Sequence, residues 1–479
     1  MTNLLGGSAE VGRGHVAPRR AIVVGALLLA LVAFGLGLLD VRRRAPNSDF
    51  TVFTIAGAAF FDGRDPYEIA NPQGWHYAYP PLFALLVSPL AGLSFRGQVV
   101  AWYTISVGFG ILCVLECRRI ARAIRRDEPA ADAAPLPRWM ILAAALSPLL
   151  PAIDTLQRGQ VALAITWPLL LGLRLAIDCR RPGGAWLAGG VLALPIAIKL
   201  TPLVPVGLLA LIGLRRSTAG HEAVATDRRR LALIGGVAIG LALFLLALPA
   251  TLLGWEKNVD HLSTWARRIE ASARVGVDDN KYTFRNQSFA NAVEMLARWE
   301  HPKSPLRWLS PRDPAIRDLR LQPRVPRSLL SAAVPAILLA LSGLVIASGW
   351  RIGGRGRPLG TAAAFGLAAA LSLVISPISW AHHFAILLPA VLFVPWWFHS
   401  RRRPATAACL AVAPPVLLGI HYLLIDTGWI ELPFGLALVW VVGLLGVGTA
   451  VWCGAASVLM LLVPCEPEEQ ARLIPPKAG

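Results

Sequence analysis

The chain has 479 residues, of which 55% are hydrophobic and only 15% charged, with a formal net charge of +18. Soluble domains carry roughly 25% charge, and here apolar runs long enough to approach a ~30 Å hydrocarbon core recur from end to end. A soluble globular protein is excluded. So is a nucleic-acid partner, because the Arg residues sit in short clusters between apolar runs, the footprint of cytoplasmic loops.

In chain order, the tail 1–20 carries Arg13, Arg19 and Arg20 and is placed inside. The stretch 21–39 is long for a signal-peptide core. It runs into Asp40-Val41-Arg42-Arg43-Arg44 with no small-residue cleavage pattern, so it is read as a retained span. The first outer loop, 40–97, contains Phe50–Phe61, an amphipathic stretch expected at the interface. It also contains Leu82–Leu93, apolar but interrupted by Pro89 and about 18 Å long as a helix. That is short for a crossing, so it is read as interfacial or re-entrant. Further spans are placed at 98–117, 139–153, 161–178, 185–199, 201–214, 231–253, 327–349, 359–376, 382–398, 405–424 and 434–462. The expected fold is therefore an all-α integral membrane protein of about 12 transmembrane helices, one multispan domain over 21–463. A large outer loop covers 254–326, and the tail 464–479 lies inside.

With 82–93 not crossing, the short connections 118–138, 179–184, 215–230, 350–358 and 399–404 all face the cytoplasm, and all are Arg-rich. Arg42–Arg44, just outside the first span, goes against the pattern. Cys113, Cys117, Cys179, Cys409, Cys453 and Cys465 all fall toward the inner side, so no disulfide framework is implied. Two short spans flank Lys199-Leu200-Thr201-Pro202, a break of the kind tolerated where it lines a cavity.

This topology gathers the polar residues on the outer face: Asn47-Ser48-Asp49, Gly63-Arg64-Asp65-Pro66-Tyr67, Tyr77-Ala78-Tyr79-Pro80-Pro81, Asp154–Gln160, Lys199, Arg285-Asn286-Gln287-Ser288, Ser376–His383 and Asp426–Pro433. Polar groups at membrane depth are expensive and mark function. Each also has a plainer reading. Asp49 suits a general base that takes a proton from a hydroxyl, or a solvated loop carboxylate. Lys199 suits a phosphate ligand, or an ammonium snorkelling to the interface. His382 and His383 point about 100° apart on a helix, so at most one faces a site directly, and with no further ligands at proper spacing they make a poor metal site. Gly353-Gly354-Arg355-Gly356 has no strand before it and is not a nucleotide loop.

The run Asp49 … Gly63-Arg64-Asp65-Pro66-Tyr67 … Tyr79-Pro80-Pro81-Leu82 resembles the first outer loop of the polyprenol-phosphate-mannose-dependent α-mannosyltransferases, bacterial GT-C enzymes of glycosyltransferase family 87. Gly159-Gln160, Ile198-Lys199-Leu200-Thr201-Pro202, Asn286-Gln287-Ser288 and Ser376-Pro377-Ile378-Ser379-Trp380-Ala381-His382-His383 look like the family's later motifs in the same order, a resemblance running from about residue 20 to 400. It implies a GT-C bundle with interfacial helices in the first outer loop, in the bacterial inner membrane with its site outward. It implies a polyprenyl-phosphate sugar donor, a lipid or glycan acceptor, no cofactor or metal, and inverting transfer. By position, Asp49 becomes the base, and Lys199 and His382 or His383 the groups that meet the donor phosphate. Tyr79, Gln160, Asn286, Gln287 and Trp380 become cavity-lining, substrate-binding candidates. A multispan transporter or flippase of lipid-linked sugars is the alternative. It predicts midplane sites and an internal repeat, neither of which the sequence displays.

Overall fold

The structure is a computed structural model that describes residues 31–45, 48–72, 74–128, 136–178, 182–213, 220–273, 286–297, 327–353, 357–425 and 444–463. Asn47, Cys179, Arg285, Cys465, Gly354–Gly356, Asp426–Pro433, both tails and most of 254–326 lie outside these residues. Among the described residues the chain is helical, with one isolated bridge between Ala70 and His76.

Helix α1 covers 31–44. The first outer loop forms α2 (Phe50–Phe61) and α3 (Pro81–Val87), which runs on as a 3-10 turn, Ser88–Gly92. Then come α4 (Phe95–Asp127), α5 (Arg138–Leu146), α6 (Leu149–Arg158), α7 (Ala162–Asp178), α8 (Pro182–Ile198) and α9 (Leu203–Gly213). α10 (Gly220–Leu241) passes through a π turn, Ala242–Ala247, into α11 (Leu248–Leu253). α12 (Trp255–Ala273) and α13 (Phe289–Ala297) lie in the long connection 254–326. The chain continues with α14 (Arg327–Gly353) and α15 (Pro358–Ile375), then a 3-10 turn (Ala381–Leu387) leading into α16 (Leu388–Ser400). α17 (Pro404–Ile425) and α18 (Leu444–Leu462) end it.

Eight described stretches are long and apolar enough to cross a membrane: Phe95–Asp127, Arg138–Arg158, Arg228–Leu253, Leu329–Gly353, Pro358–Ile375, Ala381–Ser400, Pro404–Tyr422 and Leu444–Leu462. The expected count of twelve is not reached among the described residues. The stretches at 161–178, 185–199 and 201–214 form helices of 17, 17 and 11 residues; even 17 residues rise only about 25 Å. Pro81–Gly92 is likewise a short apolar helix outside the eight.

α15 sits at the centre. Fifteen of its eighteen residues are buried, and its run of alanines lets α9, α14, α16 and α18 close around it. Phe50–Phe61 forms the helix expected of it, but not an amphipathic one lying on an interface: nine of its twelve residues are buried. Phe50 stacks on Trp102 at 4.7 Å, Phe53 meets Phe83 edge-on at 5.0 Å, and Thr54 bonds to the Gln98 carboxamide of α4. The helix that starts at Asp49 is therefore clamped in protein on most sides.

α12 is amphipathic. Trp255, Val259, Leu262, Trp265 and Ile269 recur at helical spacing. His261 packs edge-on against Phe60 at 4.9 Å, and the Arg268 guanidinium lies 5.7 Å over the Tyr67 ring. The helix covers the first outer loop, a contact the sequence analysis did not anticipate.

Candidate active site

The site begins where α2 and α6 meet. The Asp49 N–H donates to the Arg158 carbonyl at 3.0 Å, and the Ser48 hydroxyl donates to the same oxygen at 3.2 Å. Gly159 then ends α6 in the left-handed region, φ +68. That turn carries Gln160 back, so that its Nε2 donates to Asp49 Oδ2 at 2.9 Å. A Cβ on Gly159 would stand 2.7 Å from both the Phe50 Cβ and the Ser48 hydroxyl oxygen. Both the conformation and the space demand glycine. Asp49 is half-buried, and among the described residues its Oδ1 receives no hydrogen bond.

A cation stands across the site. Lys199 sits in the break between α8 and α9, its Nζ 2.6 Å from His383 Nε2 and 5.6 Å from the centroid of the Tyr79 ring. Among the described residues no carboxylate pairs with it. Lys199 is thus a half-buried amine held between an aromatic ring and an imidazole. Tyr79 joins the two halves: burial, and after it the Asp49 carboxylate, push its phenol above the usual range. Asp49, Gln160, Tyr79, Lys199 and His383 are thus brought together as expected by position.

The two histidines divide as their spacing requires. Their rings meet edge to face at 4.5 Å. His383 turns to Lys199, while His382 Nδ1 lies 3.4 Å from Asp154 Oδ2. Asp154 also takes a 2.7 Å bond from Arg158 Nε. Sequence reasoning gave no role to Asp154 or Arg158. The available signal was a carboxylate four residues before a guanidinium on a largely apolar helix.

Asn286 and Gln287, expected among the cavity-lining groups, are fully buried and used for scaffolding. Asn286 Oδ1 accepts from the backbone N–H of Ser379 (2.9 Å) and Ser288 (3.1 Å), and its Nδ2 donates to the Pro377 carbonyl at 3.2 Å. The Gln287 N–H donates to the Ser379 carbonyl at 2.6 Å, and its Oε1 accepts from the Leu445 N–H at 3.3 Å. Together they hold the backbone that delivers Trp380 and His383. Trp380 in turn donates its N–H to His383 Nδ1 at 3.2 Å. An apolar groove lined by Phe384, Leu387, Val391, Leu418 and Trp452 opens one residue beyond His383. Among the described residues no three His, Cys, Asp or Glu side chains converge as metal ligands.

Comparison with known proteins follows this geometry. The model of glycosyltransferase family 87 matches residues 77–377, a stretch that holds Tyr79, Gln160, Lys199, Asn286 and Gln287 but not Asp49 or His383. The chain is 25% identical over 410 residues to a polyprenol-phosphate-mannose-dependent alpha-(1-2)-phosphatidylinositol mannoside mannosyltransferase of Mycobacterium tuberculosis, covering 82% of this chain and 80% of the relative. It is 28% identical over 418 residues to the protein of the same name from Mycolicibacterium smegmatis, covering 82% and 81%. No solved structure matches. With more than half of its length matched by the family and a helical membrane bundle around the site, the chain belongs to glycosyltransferase family 87 and is a membrane glycosyltransferase.

Proposed function

We propose that the protein transfers mannose from a polyprenyl-phosphate donor to a lipid or glycan acceptor at the outer face of the inner membrane, with inversion, and that Asp49 is the general base. One observation carries this reading: a carboxylate oriented by Gln160 and a lysine–histidine pair with no carboxylate of its own among the described residues both adjoin the Tyr79 ring. In the reaction the acceptor oxygen bonds to the anomeric carbon as Asp49 takes its proton. The anomeric carbon–oxygen bond to the phosphate breaks, and the leaving phosphate carries the electron pair. Lys199 and His383 offset that charge, and a lipid-phosphate leaving group requires no nucleotide loop. The relatives' names support both the donor class and mannose, and name a phosphatidylinositol mannoside as their acceptor. The basic short connections support an outward-facing site.

The test is Asp49→Ala and Asp49→Asn in purified protein, supplied with radiolabelled polyprenyl-phosphate mannose and a membrane lipid extract. The expected outcome is near-complete loss of transfer with insertion and expression unchanged. Retained transfer removes Asp49 from the mechanism.

A further inference from the structure

Trp75 and Trp380, 305 positions apart in the sequence (380 − 75), meet beside the site. Their ring centroids are 6.2 Å apart with the planes at 88°. Trp75 is 51% exposed, on a turn whose neighbours Gly74 and His76 are exposed too, and Trp380 is half-buried. Both are firmly mounted. The Asn71 N–H donates to the Trp75 carbonyl and the Trp75 N–H donates to Asn71 Oδ1, each at 2.9 Å, with Gly74 at φ +79 turning the chain between them. Asn71 is itself buried, and its Nδ2 donates to the Thr51 hydroxyl on α2 at 3.3 Å, two residues beyond Asp49. On the other side, Trp380 is tied by its N–H to His383, and its neighbour Ser379 is held by Asn286. One indole sits on a turn bonded through Asn71 to the helix that follows Asp49, the other on the turn that carries the imidazole.

An edge-to-face pair leaves ring face uncovered, and that face is the negative side of the quadrupole. A pyranose offers the complement: a patch of C–H groups on one side, with hydroxyls around its rim. An indole serving only as an interfacial anchor has no use for a turn bonded to a buried asparagine and through it to the catalytic helix. The geometry points to Trp75 and Trp380 as a platform for a pyranose ring of the acceptor glycan. The inference rests on the glycosyl-transfer reading of the site and adds where the second sugar lies. The donor phosphate is placed elsewhere, at Lys199 and His383, whereas the exposed turn bearing Trp75 is open to a sugar arriving from water.

The test uses the full chain in nanodiscs with octyl α-D-mannopyranoside as acceptor and polyprenyl-phosphate mannose as donor. Trp75→Ala and Trp380→Ala are expected to raise the acceptor KM by roughly tenfold, the scale of one lost aromatic contact, with the donor KM unchanged. Trp75→Phe, which keeps a flat ring, should stay near wild type, and size-exclusion profiles show whether each variant is folded. An unchanged acceptor KM in Trp75→Ala, or a change confined to the donor KM, overturns the platform. Calorimetric binding of the mannoside without donor separates the two readings. Equal affinity for wild type and Trp75→Ala overturns the platform whatever the transfer assay gives. Trp75-dependent binding in a wild-type protein that transfers no sugar overturns the transferase reading and leaves the platform standing.

Discussion

Substituting Gly159 with alanine tests whether the α6 turn sets the position of the Asp49 carboxylate, the proposed base. The residue sits at φ +68, where an L side chain is unfavourable by about 1–2 kcal/mol. The new Cβ would also stand 2.7 Å from the Phe50 Cβ and from the Ser48 hydroxyl oxygen. Neither neighbour can give way easily: Phe50 is stacked on Trp102, and Ser48 is bonded to the Arg158 carbonyl. Overpacking of this kind adds about 1–3 kcal/mol, for a total of about 2–5 kcal/mol. Relief requires the 158–160 turn to shift, which breaks the bond from Gln160 to Asp49. Misplacement by about 1 Å lowers rates on the order of a hundredfold. Gly63 is the matched control, since it has φ +70 and nothing within 4 Å of an added Cβ. Gly63→Ala should melt slightly lower and transfer at close to the normal rate. Gly159→Ala should lose about two orders of magnitude in transfer from radiolabelled donor and melt well below Gly63→Ala in detergent. If the two variants behave alike in both assays, the turn does not position Asp49.

Lys199→Met keeps the apolar stem and removes the ammonium, so the apparent KM for the lipid-phosphate donor should rise roughly tenfold or more; an unchanged donor dependence would make Lys199 an interfacial anchor. Asn286→Ala strips the acceptor from two buried N–H groups, a loss of about 2–4 kcal/mol, and melting temperature and transfer should fall together; a variant that loses activity at full stability would assign Asn286 to substrate instead. Burial holds the His261 imidazole below its usual range, against the opposing pull of Asp65 and Asp260. Below the ordinary histidine pKa of ~6.5 the unfolded state then binds more protons. The grip of α12 on the first loop should be complete above about pH 6.5 and weaken as the pH falls below it. Hydrogen exchange over 255–273 at about pH 7.5 and 5 reads this, and His261→Phe should flatten the dependence.

The limits of α2 were legible because Asp49 and Asp62-Gly63 bracket an apolar run. Its burial was not, because an apolar run has the same composition against protein as against lipid. The spacing of Trp255, Val259, Leu262, Trp265 and Ile269 announces α12, yet what it covers depends on Phe60 and Tyr67, far back in the chain. The order of motifs located Asp49, Gln160, Tyr79, Lys199 and His383. The need for glycine at 159 arises from Ser48 and Phe50, a contact across more than a hundred residues. Asn286 and Gln287 were expected to line the cavity from their place in the motif order; the bonds they make to the 377–379 and 445 backbone could not be read from that order. The expected twelve spans are not all found among the described residues, where the helices flanking the break at Lys199 have 17 and 11 residues.

The Gln287 bond to Leu445 bears on how the protein is made. The residues proposed for the transfer step, Asp49, Lys199 and His383, all precede residue 384, yet the backbone around Trp380 and His383 is bonded to Asn286 and Gln287, and Gln287 is seated against residues 445 and 446 at the start of α18. A ribosome-bound chain that has inserted its first four hundred residues carries these three side chains without that seat. Alignment of the proposed site is therefore expected to be complete only once α18 has packed.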